Sequence, residues 1–419
     1  MGAGSSQITA LQAESTIYAS GSITTTFTVN PISPTLSNFN IPSKIFGDPP
    51  FQIPPPSSTS TGAFTYSSSN PNVATIVGDT ITIVGVGSSQ ITAFQAATTN
   101  FTSGTIPTTF TVNTPSIVAV GSGSNTIIYS SDGTTWIPST NGNTMFNGGE
   151  GVAWNGSLWV AVGIVSNTIV TSSDGITWTP SINGNTIFDG GNGVAWSSSL
   201  SLWVAVGFGT NTIATSINGT NWVPSSNGNS IFDIGRGVAW SSSLSLWVAV
   251  GFGTNTIATS TDGTSWTGLG NTIFTLNTSS DGGRSVAWSS LLSLWVAVGV
   301  GITNTIATST DGVNWTGLGT SIFTIGGNGV AWNGSDRWVA VGSGTNTIAT
   351  SIDGINWTGL GASIFTTAGN SVTWNSLLSI WIAVGSGTNS IATSLNGINW
   401  VPSINGNSLI TNGAGVASK

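Results

Sequence analysis

The residues that could do chemistry here are few, because two versatile side chains are missing. There is no His and no Cys among 419 residues. That removes the commonest general base near neutral pH, the thiolate nucleophile and the two commonest soft metal ligands. Paired carboxylates could still hydrolyse a glycosidic bond if two of them faced one another. Past residue 115, outside a recurring turn motif, the candidates are Glu150, Asp189, Asp233, Asp281 and Asp336, and no spacing marks a pair. Asp189 and Asp233 occupy equivalent places in adjacent repeats, which puts them near one rim. Arg236, Arg284 and Arg337 could hold an anion. A positional pattern is more suggestive: Glu150, Asn192, Arg236, Arg284, Asn328, Asn370 and Ala414 each stand directly before a Gly-Val or Ser-Val strand start. If those strands line a channel, these side chains ring one mouth and could bind a small polar ligand. Solvated loop ends, the plainer reading, would use the same residue types. No EF-hand, phosphate loop or dinucleotide fingerprint occurs, so no cofactor is implied.

The elements that position these residues come from a repeat of about 42–49 residues, the spacing expected of propeller blades. One copy reads Gly237-Val238-Ala239-Trp240, then Leu246 to Gly251, Asn255 to Ser260, and Asp262-Gly263-Thr264-Ser265-Trp266. The pieces are short, rich in Val, Ile, Thr and Trp, and bounded by Gly, Ser or Asn, which are strand and turn signals. Four strands per unit make one blade. The most specific element is Ser-x-Asp/Asn-Gly-x-x-Trp, at Asp132, Asp174, Asn218, Asp262, Asp311, Asp353 and Asn396. Asp-Gly or Asn-Gly between strands predicts a tight turn with both central residues at positive φ. The following Trp anchors it by burying a large ring. The repeat region starts late, with Ser116 to Gly121 matching a second strand, and overshoots at Gly415 to Ser418, which matches a first strand. The two fragments sum to one unit, so the C-terminal strand is expected to complete the first blade. All 19 Trp lie in this region at fixed repeat positions, which predicts core rather than sugar platforms.

This pattern resembles the Asp-box (BNR) repeat of sialidase-like propellers, over residues 115–419 in seven copies. The resemblance implies an all-β, seven-bladed ring in which the boxes are structural turns. It also implies an arginine cluster, a nucleophilic tyrosine with a carboxylate beside it, and an acid. Those cannot be mapped: Tyr129 is the one tyrosine of the region, the sequence positions no acidic neighbour beside it, and Arg337 belongs to a loop expected to open on the opposite end from Arg236 and Arg284.

Residues 31–114 read differently. A Pro-rich start (Pro31 to Pro56) precedes alternating strands at 63–66, 73–77, 80–84, 90–94 and 108–112. That predicts a β-sandwich. Ser67 to Ala74, Thr82 to Gly87 and Phe110 to Asn113 resemble bacterial Ig-like (Big-type) domains of surface proteins. Residues 1–30 then repeat the end of this domain: Gly4-Ser5-Ser6-Gln7-Ile8-Thr9-Ala10 returns at Gly87 to Ala93, and Thr25 to Asn30 at Thr108 to Asn113. This orphan segment carries Ile8, Phe27 and Val29 with no sandwich of its own. It is expected to pair with another subunit as donor strands, or with an upstream repeat. Repeated head-to-tail, donation builds an open homopolymer.

Only 4% of residues are charged, and the net charge is −8 with 5 Lys and Arg. Nucleic acid as a partner is argued against, since phosphate neutralisation needs a basic patch. No apolar run is long enough for a membrane-spanning helix. The start at Met1 has no signal-peptide pattern, so the precursor is expected to begin elsewhere. Sequons fall at Asn100, Asn155, Asn218, Asn277, Asn314, Asn333 and Asn356, open to N-glycosylation in a secreted chain. The sequence therefore predicts a non-enzymatic extracellular or cell-surface structural protein. The alternative is an adhesin binding surface glycans on an Ig-like stalk; a glycoside hydrolase is the remote third.

Overall fold

The computed structural model describes residues 2–278 and 281–419. The chain is all-β; its helices, among the described residues, are the single turns Gly142–Met145, Gly184–Ile187, Gly228–Ile231 and Gly406–Leu409. It divides into two compact units, Met1–Thr114 and Pro115–Lys419.

In the second unit each repeat folds as a short antiparallel sheet. Ile234–Ser241, Leu246–Phe252, Ile257–Ser260 and Thr267–Gly268 pair in that order, from the innermost strand outward. Trp247, Val248, Ala249 and Val250 are all fully buried. A strand covered on both faces needs a continuous apolar run rather than alternation. The core lies between successive sheets: Val204, Val206 and Ile213 of one repeat pack on Trp247, Ala249 and Trp266 of the next. Trp240 sits opposite Trp247 in the ladder, with ring centroids 5.1 Å apart.

The circuit closes through the chain end. Ile117–Ser122 pairs with Ile127–Ser130 on one side and Asn412–Ser418 on the other. The last strand thus supplies the innermost strand that the first repeat lacks. Its Gly415 lies so close to Glu150 that an added Cβ would be 2.6 Å from the Glu150 carbonyl oxygen. The same approach, again 2.6 Å, relates Gly193 to Arg236. At this junction Ser418 opposes Ile117, where other repeats pair two tryptophans. The Lys419 ammonium lies 4.8 Å from the ring centre of Trp154.

The Asp/Asn-Gly turns differ from expectation in their backbone. The glycine has positive φ, 77° at Gly263, but none of the seven Asp or Asn residues does. The reason is side-chain bonding. Asp262 Oδ1 accepts the N–H groups of Thr264 and Ser265, both at 2.8 Å, and Ser260 Oγ accepts the Gly263 N–H at 2.8 Å. The acidic side chain caps a wider loop, so one left-handed residue suffices. Trp266 Nε1 donates back to the Gly263 carbonyl.

In the first unit, one sheet runs Lys44–Ile45, Gly104–Asn113, Gly87–Gln95, Phe64–Ser68, and a second joins Phe51–Gln52, Thr80–Ile83 and Ala74–Val77. They share one core of Phe39, Ile53, Val73, Ile81, Ile91 and Phe110 with their neighbours. Strands in the Pro-rich stretch are two residues long, because proline offers no N–H to a ladder. Gly4–Gln12 and Gly21–Val29 form a two-stranded hairpin, a sheet to itself.

Candidate functional site

The structure brings the positional set together. Glu150, Asn192, Arg236, Arg284, Asn328, Asn370 and Ala414 line one cavity of about 330 Å³, and Asn412 joins them. What aims them there is a β-bulge. In every innermost strand the register slips at this residue, for example between Gly235 and Gly237 around Arg236. The slip recurs between Gly149 and Gly151, and between Gly283 and Ser285. A bulge leaves one residue out of the ladder and redirects its side chain. The Gly-x-Gly or Gly-x-Ser pattern was the available signal. Asn412, which stands where four other repeats have glycine, carried none.

Much of this ring is tied down. Asn192 Nδ2 donates to Gly235 O at 2.8 Å, Asn328 Nδ2 to Gly369 O at 2.9 Å and Asn370 Nδ2 to Gly413 O at 2.8 Å. Each bond crosses to the following repeat. Arg236 makes a similar step, its Nη1 donating to Asp281 O at 2.9 Å. Burial, and then the Arg284 charge, lowers Arg236 to about 10, so it stays protonated at neutral pH. Burial lowers Arg284 as well and pushes the Glu150 carboxyl up. Two cations, one carboxyl and a set of amides can hold a polar ligand. The lining supplies one carboxyl where glycoside hydrolysis by the usual route uses two.

The other candidates are dispersed. The seven turn residues sit between third and outer strands, each bonded within its own loop, as Asp132, Asp174, Asn218, Asp311, Asp353 and Asn396 repeat the Asp262 pattern. Tyr129 is buried in the first repeat, and Arg337 Nη1 donates to Thr350 Oγ1. Among the sequons, Asn100, Asn218, Asn277, Asn314 and Asn356 are exposed, while Asn155 and Asn333 are half-buried. Asn314, Asn333 and Asn356 spend their amide nitrogens on Asp311, Asp336 and Asp353. Asn155 accepts the Leu158 N–H, and Asn100 Oδ1 accepts the Ala3 N–H at 2.7 Å. Among the described residues no three His, Cys, Asp or Glu converge as a metal site, and no helix is long and apolar enough to cross a membrane.

The N-terminal hairpin is the second site. Its register, Gly4 opposite Val29 through Gln12 opposite Gly21, repeats that of Gly87 opposite Val112 through Gln95 opposite Gly104. Each buried residue of the later hairpin has an identical twin in the earlier one: Ser6 for Ser89, Ile8 for Ile91, Ala10 for Ala93, Gln12 for Gln95, Phe27 for Phe110 and Val29 for Val112. The strand differences, Leu11 for Phe94, Ser22 for Thr105 and Thr24 for Pro107, fall on the outward face. Ile91 and Phe110 are fully buried, whereas Ile8 is 54% and Phe27 57% exposed.

No family model and no curated protein matches the sequence. Solved structures do. The virginiamycin B lyase of Staphylococcus aureus is 15% identical with a TM-score of 0.50, covering 64% of this chain and 87% of that one. A streptogramin B lyase is 12% identical with a TM-score of 0.50, over 61% of this chain and 83% of that one. A GH74 enzyme of Niastella koreensis is 19% identical with a TM-score of 0.48; the match covers 69% of this chain and about half, 55%, of that one. At these identities the likeness shows the fold alone, a β-propeller.

Proposed function

We propose that the chain is a non-enzymatic, extracellular structural subunit that assembles by giving its N-terminal hairpin to a neighbour. In this reading Pro115–Lys419 is a seven-bladed, Asp-box-type ring and residues 31–114 an Ig-like module joining it to the assembly. One observation carries the proposal: a hairpin that keeps every inward residue of a buried copy while exposing them all. Exposed apolar faces on paired strands mark sites of association. The single carboxyl in the channel mouth supports the non-enzymatic reading, and failure to cleave a panel of glycosides is its expected outcome. Deleting residues 1–30 is expected to convert the assembled protein to monomers by negative-stain microscopy and light scattering; persistence of assembly would sink the idea.

The Arg236 and Arg284 pair in the mouth favours a second reading, an adhesin head that binds surface glycans. A glycan array separates the two, because a purely structural subunit gives no specific hit.

A further inference from the structure

We propose that the N-terminal hairpin is a donor shaped to complete a half-sandwich of the residue 31–86 type left open on a partner. The inference rests on the strand-donation reading and names its acceptor.

The buried hairpin shows what the acceptor must offer. Phe110 packs on Phe51, with ring centroids 5.7 Å apart, in a core that also holds Phe39, Ile53 and Ile81. Two polar keys sit among these apolar contacts. Gln95 donates to Ser60 O at 3.0 Å and Gly62 O at 2.9 Å, and accepts from Ser58 Oγ at 2.6 Å. Ser89 Oγ accepts the Asn70 N–H at 3.0 Å and lies 2.8 Å from Ser68 Oγ. Buried polar groups of this kind demand a matched partner, since an unmade bond there is penalised. Gln12 and Ser6 carry the same keys in the same register, with the same apolar residues between them. An outward-facing hairpin has no use for that combination.

Chain connectivity opposes insertion into the chain's own acceptor. Ile32 bridges to Phe101 and bonds Asn100 O, beside the turn of the buried hairpin. If the N-terminal hairpin took the buried place, Val29 would stand where Val112 stands. Strand Gly104–Asn113 separates that point from the turn by about 26 Å at roughly 3.3 Å per residue. Val29 and Ile32 are three residues apart and span at most about 11 Å. While that pairing stands, the acceptor lies outside residues 31–86 of the same copy. Stoichiometry sharpens this. Residues 1–419 carry two copies of the hairpin and one acceptor segment, so exchange of hairpins among copies of these residues always leaves one uncovered. The partner presents an acceptor whose own hairpin is missing or displaced.

The test opens the acceptor in the full-length chain. Ile91→Asp with Phe110→Asp disables the buried hairpin and leaves one donor and one acceptor per chain. This variant is expected to form head-to-tail oligomers by analytical ultracentrifugation, and adding Ile8→Asp and Phe27→Asp returns it to monomers. Oligomers that survive the added changes, or none at all, overturn the proposal. In the four-site variant, a synthetic peptide of residues 4–30 should restore slow amide exchange over residues 64–83 at one peptide per chain. A Phe27→Asp peptide should not, and Gln12→Ala, which removes all three bonds of this key, should bind at least roughly tenfold more weakly, the scale of a single lost buried hydrogen bond. Restoration by a peptide of residues 87–113 but not of 4–30 also overturns it. If deletion of residues 1–30 abolishes native assembly while complementation fails, donation stands and the acceptor is wrong. Complementation without native assembly has the converse meaning.

Discussion

Two hairpins of nearly one sequence meet opposite fates in this molecule. Gly87–Val112 lies between a strand at Phe64–Ser68 and a core of Phe39, Ile53 and Ile81; Gly4–Val29 has no such neighbours and shows both faces. The difference teaches that burial is supplied by what surrounds a strand, not by the strand. The two chain ends make the same point. Asn412–Ser418 is claimed by the first repeat and closes a circuit, while the N-terminal strands pair with each other alone.

The largest expected effect breaks that second contrast. Removing residues 412–419 strips the innermost strand from Ile117–Ser122 and is expected to abolish cooperative unfolding of the second unit in calorimetry. Removing 1–30 should leave the melting of both units unchanged. Next, Phe110→Asp in a chain lacking residues 1–30, where no donor can refill the acceptor, puts a charge into a sealed core and should cost about 3–5 kcal/mol, enough to unfold the first unit by hydrogen exchange. Phe27→Asp, the same change in the exposed twin, should move stability by under about 0.5 kcal/mol and be felt only in assembly. If the two variants behave alike, the hairpins do not differ as described.

The smallest effects are titrations of opposite sign. Burial opposes ionisation of Asp262, but the Ser265 and Thr264 N–H bonds outweigh it and bring the carboxyl down to about 2. A depressed carboxyl contributes stability above its unfolded range, near pH 4, that is lost as pH falls toward 2. Asp262→Asn should flatten this acid limb, since Asn218 and Asn396 already hold the same loop as amides. Glu150 is raised by burial, so its contribution is greatest when protonated and declines as pH rises through its folded value. Glu150→Gln should therefore stabilise at pH 7 and do nothing below pH 4, read from denaturant midpoints at the two pH values.

Much of the repeat was legible in the sequence. The period, the strand segments and the Asp/Asn-Gly-x-x-Trp turns are local signals, written in turn residues and β-branched runs. The positions around the channel mouth could be found from their place before Gly-Val and Ser-Val. Their mechanism could not, because a bulge is a mismatch between two strands and neither strand alone reveals it. The expected pair of positive φ angles failed for a related reason: Asp262 bonds forward to Thr264 and Ser265, and that bonding selects a wider loop than Asp-Gly suggests by itself.

By itself the sequence determined which residues face the same way along each strand, where the chain turns, and that one hairpin is written twice. Tertiary structure alone decided which copy is covered. Gly-Ser-Ser-Gln-Ile-Thr-Ala is exposed at 4–10 and largely buried on its inner face at 87–93. The reason is physical: alternation is a property of consecutive residues, whereas leaving water requires partners that, for Gly87–Gln95, come from residues 39–83 and, for Gly4–Gln12, must come from elsewhere.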